Sequence, residues 1–153
     1  MPKQTSGAAL VTGGAQRIGS AIVRLLAENG YAVAVHANSS AAEAGRLCEA
    51  IGAGGGQAAV VTADLSDHAS AVSLVAKAAA AVGPLTLLVN NAGEFEPDTF
   101  GHLDRALFDR QLAVNLRAPL FLAQDFASQI PPGEEGCVVN IVDQRVFKLT
   151  PHF

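Results

Sequence analysis

Ala8-Ala9-Leu10-Val11-Thr12-Gly13-Gly14-Ala15-Gln16-Arg17-Ile18-Gly19 changes character half-way along. Residues 8–12 form an apolar run of strand length, and Gly13-Gly14 stops it. From Arg17 the period lengthens: Ile18, Ile22, Leu25 and Leu26 fall on one helical face until Asn29-Gly30 supplies a stop. A buried strand feeding a glycine turn that feeds a helix predicts the opening of an α/β fold.

Outward from this stretch the alternation repeats. Strands are expected over residues 31–36, 57–63, 85–89 and 137–142. Helices are expected from about 41 to 51, from a cap at Ser66 to Val82, and from about 104 to 129, with a kink at Pro119. The glycine-rich run over 52–56 has no strand feeding it and reads as a turn rather than a nucleotide loop. Strands that are apolar throughout and separated by helices imply a parallel sheet covered on both faces. Right-handed crossovers make that sheet doubly wound and Rossmann-like, with ligand beyond the carboxyl ends of its strands. No repeat, linker or low-complexity segment divides residues 1–153, which are expected to form one domain.

Composition narrows the function classes. A net charge of −4, with basic residues scattered along the chain, argues against a nucleic-acid or anionic-membrane surface. Cys48 and Cys137 match no metal spacing and read as reduced thiols, so no metal is expected. Residues 1–7 carry no apolar signal core, and the apolar runs are too short to span a bilayer. A cytoplasmic protein with a small-molecule substrate is the expectation.

Glycines in a turn let a ligand approach the backbone, and a helix N-terminus offers free N–H groups and a positive dipole end to an anion. Gly13, Gly14 and Gly19, with the helix from Arg17 and Ile18, supply both, so residues 12–19 are read as a dinucleotide phosphate loop. A tight turn without ligand is the plain alternative. An NAD site places an acid at the end of the second strand to bind the ribose 2′-hydroxyl. Here that region is His36-Ala-Asn38-Ser39-Ser40, with no acid before Glu43. Small donors there, beside Arg17, suit a 2′-phosphate and favour NADP(H), although Asn-Ser-Ser is also good helix-cap chemistry.

Thr12-Gly13-Gly-Ala-Gln-Arg17-Ile18-Gly19, Asp64-Leu65, Asn90-Asn91-Ala92-Gly93 and Asn115 together resemble the short-chain dehydrogenase/reductase family, in its order and approximate spacing. The resemblance implies that Asp64 and Leu65 flank the adenine. It places Asn91, Ala92 and Gly93 behind the ribose and nicotinamide, and Asn115 in a water-linked proton relay. Each has a plainer alternative as a turn or helix polar group. Where the family carries its catalytic serine after the fifth strand, this chain reads Asn140-Ile-Val-Asp143. The same aspartate marks the pteridine reductase branch, which uses NADPH. Phe95 matches a phenylalanine that stacks on the pterin ring in that branch. Asp143 is then expected to help relay a proton to a ring nitrogen, provided it sits in a desolvated pocket; a loop carboxylate paired with Arg145 is the alternative. A generic carbonyl substrate remains open beside the pteridine.

The resemblance also implies a Tyr-x-x-x-Lys pair past the aspartate. The chain's one tyrosine is Tyr31, and Phe153 comes before the expected position. The chain is therefore expected to be an amino-terminal portion, lacking later strands and the helices used for homo-oligomer contacts, and to turn over little. Two rivals are a cofactor-binding module without catalysis and an extended-type epimerase, whose loop glycines and acid after the second strand differ.

Overall fold

The computed structural model describes residues 7–143 and Phe147. In chain order it comprises β1 (Gly7–Val11), α1 (Arg17–Glu28), β2 (Tyr31–Ala37), α2 (Ala41–Ala53), β3 (Gln57–Thr62), α3 (His68–Val72), α4 (Leu74–Val82), β4 (Leu85–Asn90), α5 (Arg105–Leu112), a π-helical segment Ala113–Arg117, α6 (Ala118–Gln129) and β5 (Cys137–Asn140). The five strands pair in parallel in the order β3-β2-β1-β4-β5. The chain moves outward on one side of β1 and then returns to its other side at β4. That reversal leaves a crevice above the carboxyl ends of β1 and β4.

Alternation along the strands sorts two cores. Leu10, Ala32, Ala34, Leu85 and Leu88 pack under Leu74, Val75 and Ala78 of α4 and Leu122 and Phe126 of α6. Val11, Val33, Val35 and Val89 pack on the opposite face under Val23 and Ala27 of α1 and Ala44, Leu47 and Ile51 of α2. The doubly wound α/β fold expected from the sequence is the one observed.

Three local expectations change. Ser66 does not cap the following helix; Asp67 does, accepting from Ala69 and Ser70 N–H at 3.3 and 3.1 Å. Ser66 turns back instead, its hydroxyl donating to Asp64 at 2.7 Å. That helix divides into α3 and α4 at Ser73, whose hydroxyl donates to the Ser70 carbonyl at 3.1 Å in competition with the helical ladder. The long helix over 104–129 is also divided. Pro119 has no N–H to give to Asn115, and the ladder widens into the π segment just before it, leaving the proline in the first turn of α6. β5, finally, is exposed at all four residues rather than covered on both faces; it pairs with β4 at the edge of the sheet among the described residues. The glycine run over 52–56 does form a turn: Gly54 ends α2 and Gly56 N–H donates to the Ile51 carbonyl at 3.0 Å.

Candidate active site

Thr12 organises the crevice. It is buried at the end of β1, and its hydroxyl accepts from Asn91 and Ala92 N–H, both at 3.0 Å. The Asn91 side-chain amide returns the link, donating to the Thr12 and Gly13 carbonyls at 3.0 and 3.1 Å. The turn after β1 is thereby stitched to the segment after β4. Asn91 is a brace within this arrangement, while Ala92 and Gly93 line the groove wall.

His36 fastens the same turn from the other side. Gly13 N–H donates to its Nδ1 at 3.1 Å, and Gly14 N–H to its carbonyl at 2.9 Å. A backbone N–H can only donate, so Nδ1 is the acceptor, and Nε2–H donates to the Ala63 carbonyl at 3.1 Å. Burial pushes the His36 pKa down, partly opposed by the Ala63 carbonyl. Expected on the cofactor rim, His36 instead lies 2 % exposed beneath the loop, with both ring nitrogens committed to backbone.

The N–H groups of Gly13 and Gly14 are therefore taken by His36, which leaves the open donors of this turn at the N-terminus of α1. Its first intrahelical donor here is Ser20, to the Gln16 carbonyl, and Gln16 makes no side-chain cap. Arg17, Ile18 and Gly19 line the groove, and as the first residues of α1 their N–H groups have no helical partners. A Cβ at Gly19 would strike the Gly13 carbonyl oxygen and crowd the Asn91 amide. Glycine is required there by close approach. Arg17 holds φ +50° between the extended Gln16 and the rest of α1, a conformation costing a non-glycine residue about 1 kcal/mol or more.

Asn38, Ser39 and Ser40 line the rim beside Arg17. Ser40 precedes α2 but its side chain makes no cap bond. Glu43, the first acid after β2, pairs with Arg46 at 3.4 Å. Beyond β3, Asp64 accepts from the Ser66 hydroxyl and N–H at 2.7 and 2.8 Å, and these bonds lower its pKa. Arg117 Nη2 holds that turn by donating to the Ser66 carbonyl at 2.7 Å. Leu65, expected against the adenine, is 5 % exposed and buried chiefly among the residues beneath α3, α4 and α6.

At the far end of the groove, Asn115 lies in the π segment rather than in a regular helix. Its Oδ1 accepts from Glu94 N–H at 2.8 Å and its Nδ2 donates to the Glu94 carbonyl at 2.7 Å. Phe95 and Asp143 line the same end, both exposed. Asp143 is not in a desolvated pocket formed by the described residues, and Arg145 lies outside them. The groove brings together every residue expected at the site. Ser66 and Arg110 also line it, while Thr12 and Arg117 brace its turns from behind the lining; Thr12 and Ser66 carried sequence signals, as the last residue of the opening strand and as a helix-cap candidate, and the two arginines carried none.

Residues 7–152 match the family model for short chain dehydrogenases. The chain belongs to the short-chain dehydrogenase family. Among curated relatives of this family it is 38% identical over 141 residues to an uncharacterized oxidoreductase of Methylorubrum extorquens, covering 92% of this chain and 56% of that protein. Among solved structures, FolM alternative dihydrofolate reductase 1 from Brucella canis, complexed with NADP, superposes with a TM-score of 0.91 at 48% identity, over 95% of this chain and 58% of that one. A short chain dehydrogenase from Burkholderia cenocepacia in complex with NADP superposes with a TM-score of 0.89 at 34% identity, over 95% and 59%. The chain thus spans a little over half the length of the relatives it matches. No helix among the described residues is long and apolar enough to cross a membrane.

Proposed function

We propose that this chain holds NADP(H) for a reductase acting on a flat C=N or C=O substrate of pteridine type. The observation that carries the reading is one continuous groove, running from the open α1 N-terminus and the acid-free Asn38–Ser40 rim to Phe95, Asn115 and Asp143. NADP(H) supplies or takes up the hydride. The chain's residues do the rest. N–H groups of Arg17, Ile18 and Gly19 receive the pyrophosphate. Arg17 and the Asn38, Ser39 and Ser40 side chains receive the 2′-phosphate, with no carboxylate to repel it. Phe95 offers a stacking face to a heterocycle, and Asp143 gives or takes the proton at a ring nitrogen once bound ligands exclude water. Relatives at 48% and 34% identity crystallised with NADP, one of them an alternative dihydrofolate reductase, support this assignment.

Tyr31, the chain's one tyrosine, sits opposite Gly7 at the amino ends of β2 and β1, away from the groove. A cofactor-holding module is the second reading. Titrating a pterin into the NADP+-saturated chain tests the substrate class. Saturable quenching of pterin fluorescence that weakens in Phe95→Ala is the expected result. No saturable binding would overturn the pteridine assignment and leave the module.

A further inference from the structure

The Glu94-Phe95-Glu96 segment after β4 is held on both sides of its aromatic residue. Asn115 takes both backbone groups of Glu94, at 2.8 and 2.7 Å. Arg110, in the last turn of α5, spans the segment: its Nε meets Glu94 Oε1 at 2.6 Å and its Nη2 meets Glu96 Oε1 at 2.8 Å. Gln111 Nε2 donates to the Glu96 carbonyl at 3.2 Å. Pro97 follows and restricts Glu96 to extended backbone. The ring between these anchors is 62% exposed and lines the groove.

We propose that Arg110 is a positioning residue that sets the Phe95 ring before ligand arrives, and so tunes the site toward flat aromatic substrates. An exposed ion pair alone contributes little. Here one rigid guanidinium fork ties two carboxylates that bracket a single residue, and backbone bonds from the same helical stretch close the bracket. A flat heterocycle gains from stacking only to the extent that the opposing ring need not be ordered on binding. A flexible carbonyl compound has no such requirement. Arg110 therefore acts through Phe95 and touches no substrate itself.

The inference about selectivity rests on the pteridine assignment, but the positioning can be read without it. The chain has no tryptophan, so Phe95→Trp introduces a single indole at the bracketed position. Anisotropy and acrylamide quenching of that indole are compared with and without Arg110→Met, and with the milder Glu96→Gln, with melting curves to confirm folding. Arg110→Met is expected to lower the anisotropy and raise the quenching, with Glu96→Gln in between. On the unmodified Phe95 background, Arg110→Met is expected to weaken pterin binding about tenfold, and to change nothing further when combined with Phe95→Ala. Equal indole order with and without Arg110, or an undiminished Arg110→Met effect in the absence of Phe95, would overturn the proposal. Failure of the parent chain to bind pterin would sink the substrate assignment alone, since the indole still reports on the bracket.

Discussion

His36 shows how one side chain sets the geometry of the loop above it. Its neutral Nε2–H form accepts from Gly13 and donates to Ala63, and burial lowers its pKa. Protonation would place a second donor against the Gly13 N–H. Between the lowered folded value and about 6.5, the unfolded chain binds more protons than the folded one, so stability rises with pH across that window. The contribution is complete above about pH 6.5 and is lost as pH falls below it. Urea midpoints at pH 7.5 and 5.5 should therefore fall more for the wild type than for His36→Gln. Equal acid losses would show that His36 does not carry this linkage. A histidine at a strand end beside small polar residues reads in the sequence as a surface donor. Only the return of β3 alongside β2 supplies the Ala63 carbonyl that turns it inward.

At the scale of elements, α1 can serve an anion because its first turn is left open and because β4 lets it come close. Gly19 is the point of that approach. Gly19→Ala would press a methyl group against the Gly13 carbonyl and the Asn91 amide, neither of which can withdraw without opening the Thr12 links. A loss of about 1–3 kcal/mol in stability is expected by urea unfolding, together with at least about tenfold weaker NADP+ binding. Unchanged stability and affinity would mean that the turn is slacker than these contacts imply. Strand and helix identities were legible because apolar runs and helical periodicity are local. The glycine turn, the Asn90-Asn91-Ala92-Gly93 run and Asn115 were legible as a pattern, and the fold gathers them on one groove. The π segment before Pro119 and the Arg110 bracket were not legible. The first depends on how the helix resolves a missing N–H, and the second joins residues 14 apart that share no periodicity.

Across the whole molecule, the two cores are unequal in what they leave uncovered. β1, β2 and β4 are sheathed by helices on both faces, while β5 is exposed and leaves Val138 and Val139 at 38% and 40% exposure on an edge with no further strand among the described residues. Such an edge is a template for pairing with another chain. The groove, by contrast, is assembled from both halves of the sheet: α1 and the end of β2 on one side, the segments after β4 and β5 on the other. Binding along its length should therefore tie the halves together and stabilise the fold, by about 2.7 kcal/mol when ligand is at 100-fold its Kd. We propose that the open α1 N-terminus and the acid-free rim beside it select NADP(H). Isothermal titration of NADP+ and NAD+ into this chain, repeated with Arg17→Gln, tests it most directly. NADP+ is expected to bind more tightly than NAD+, with most of the difference lost in Arg17→Gln; equal or tighter binding of NAD+ by the wild type would contradict this selection.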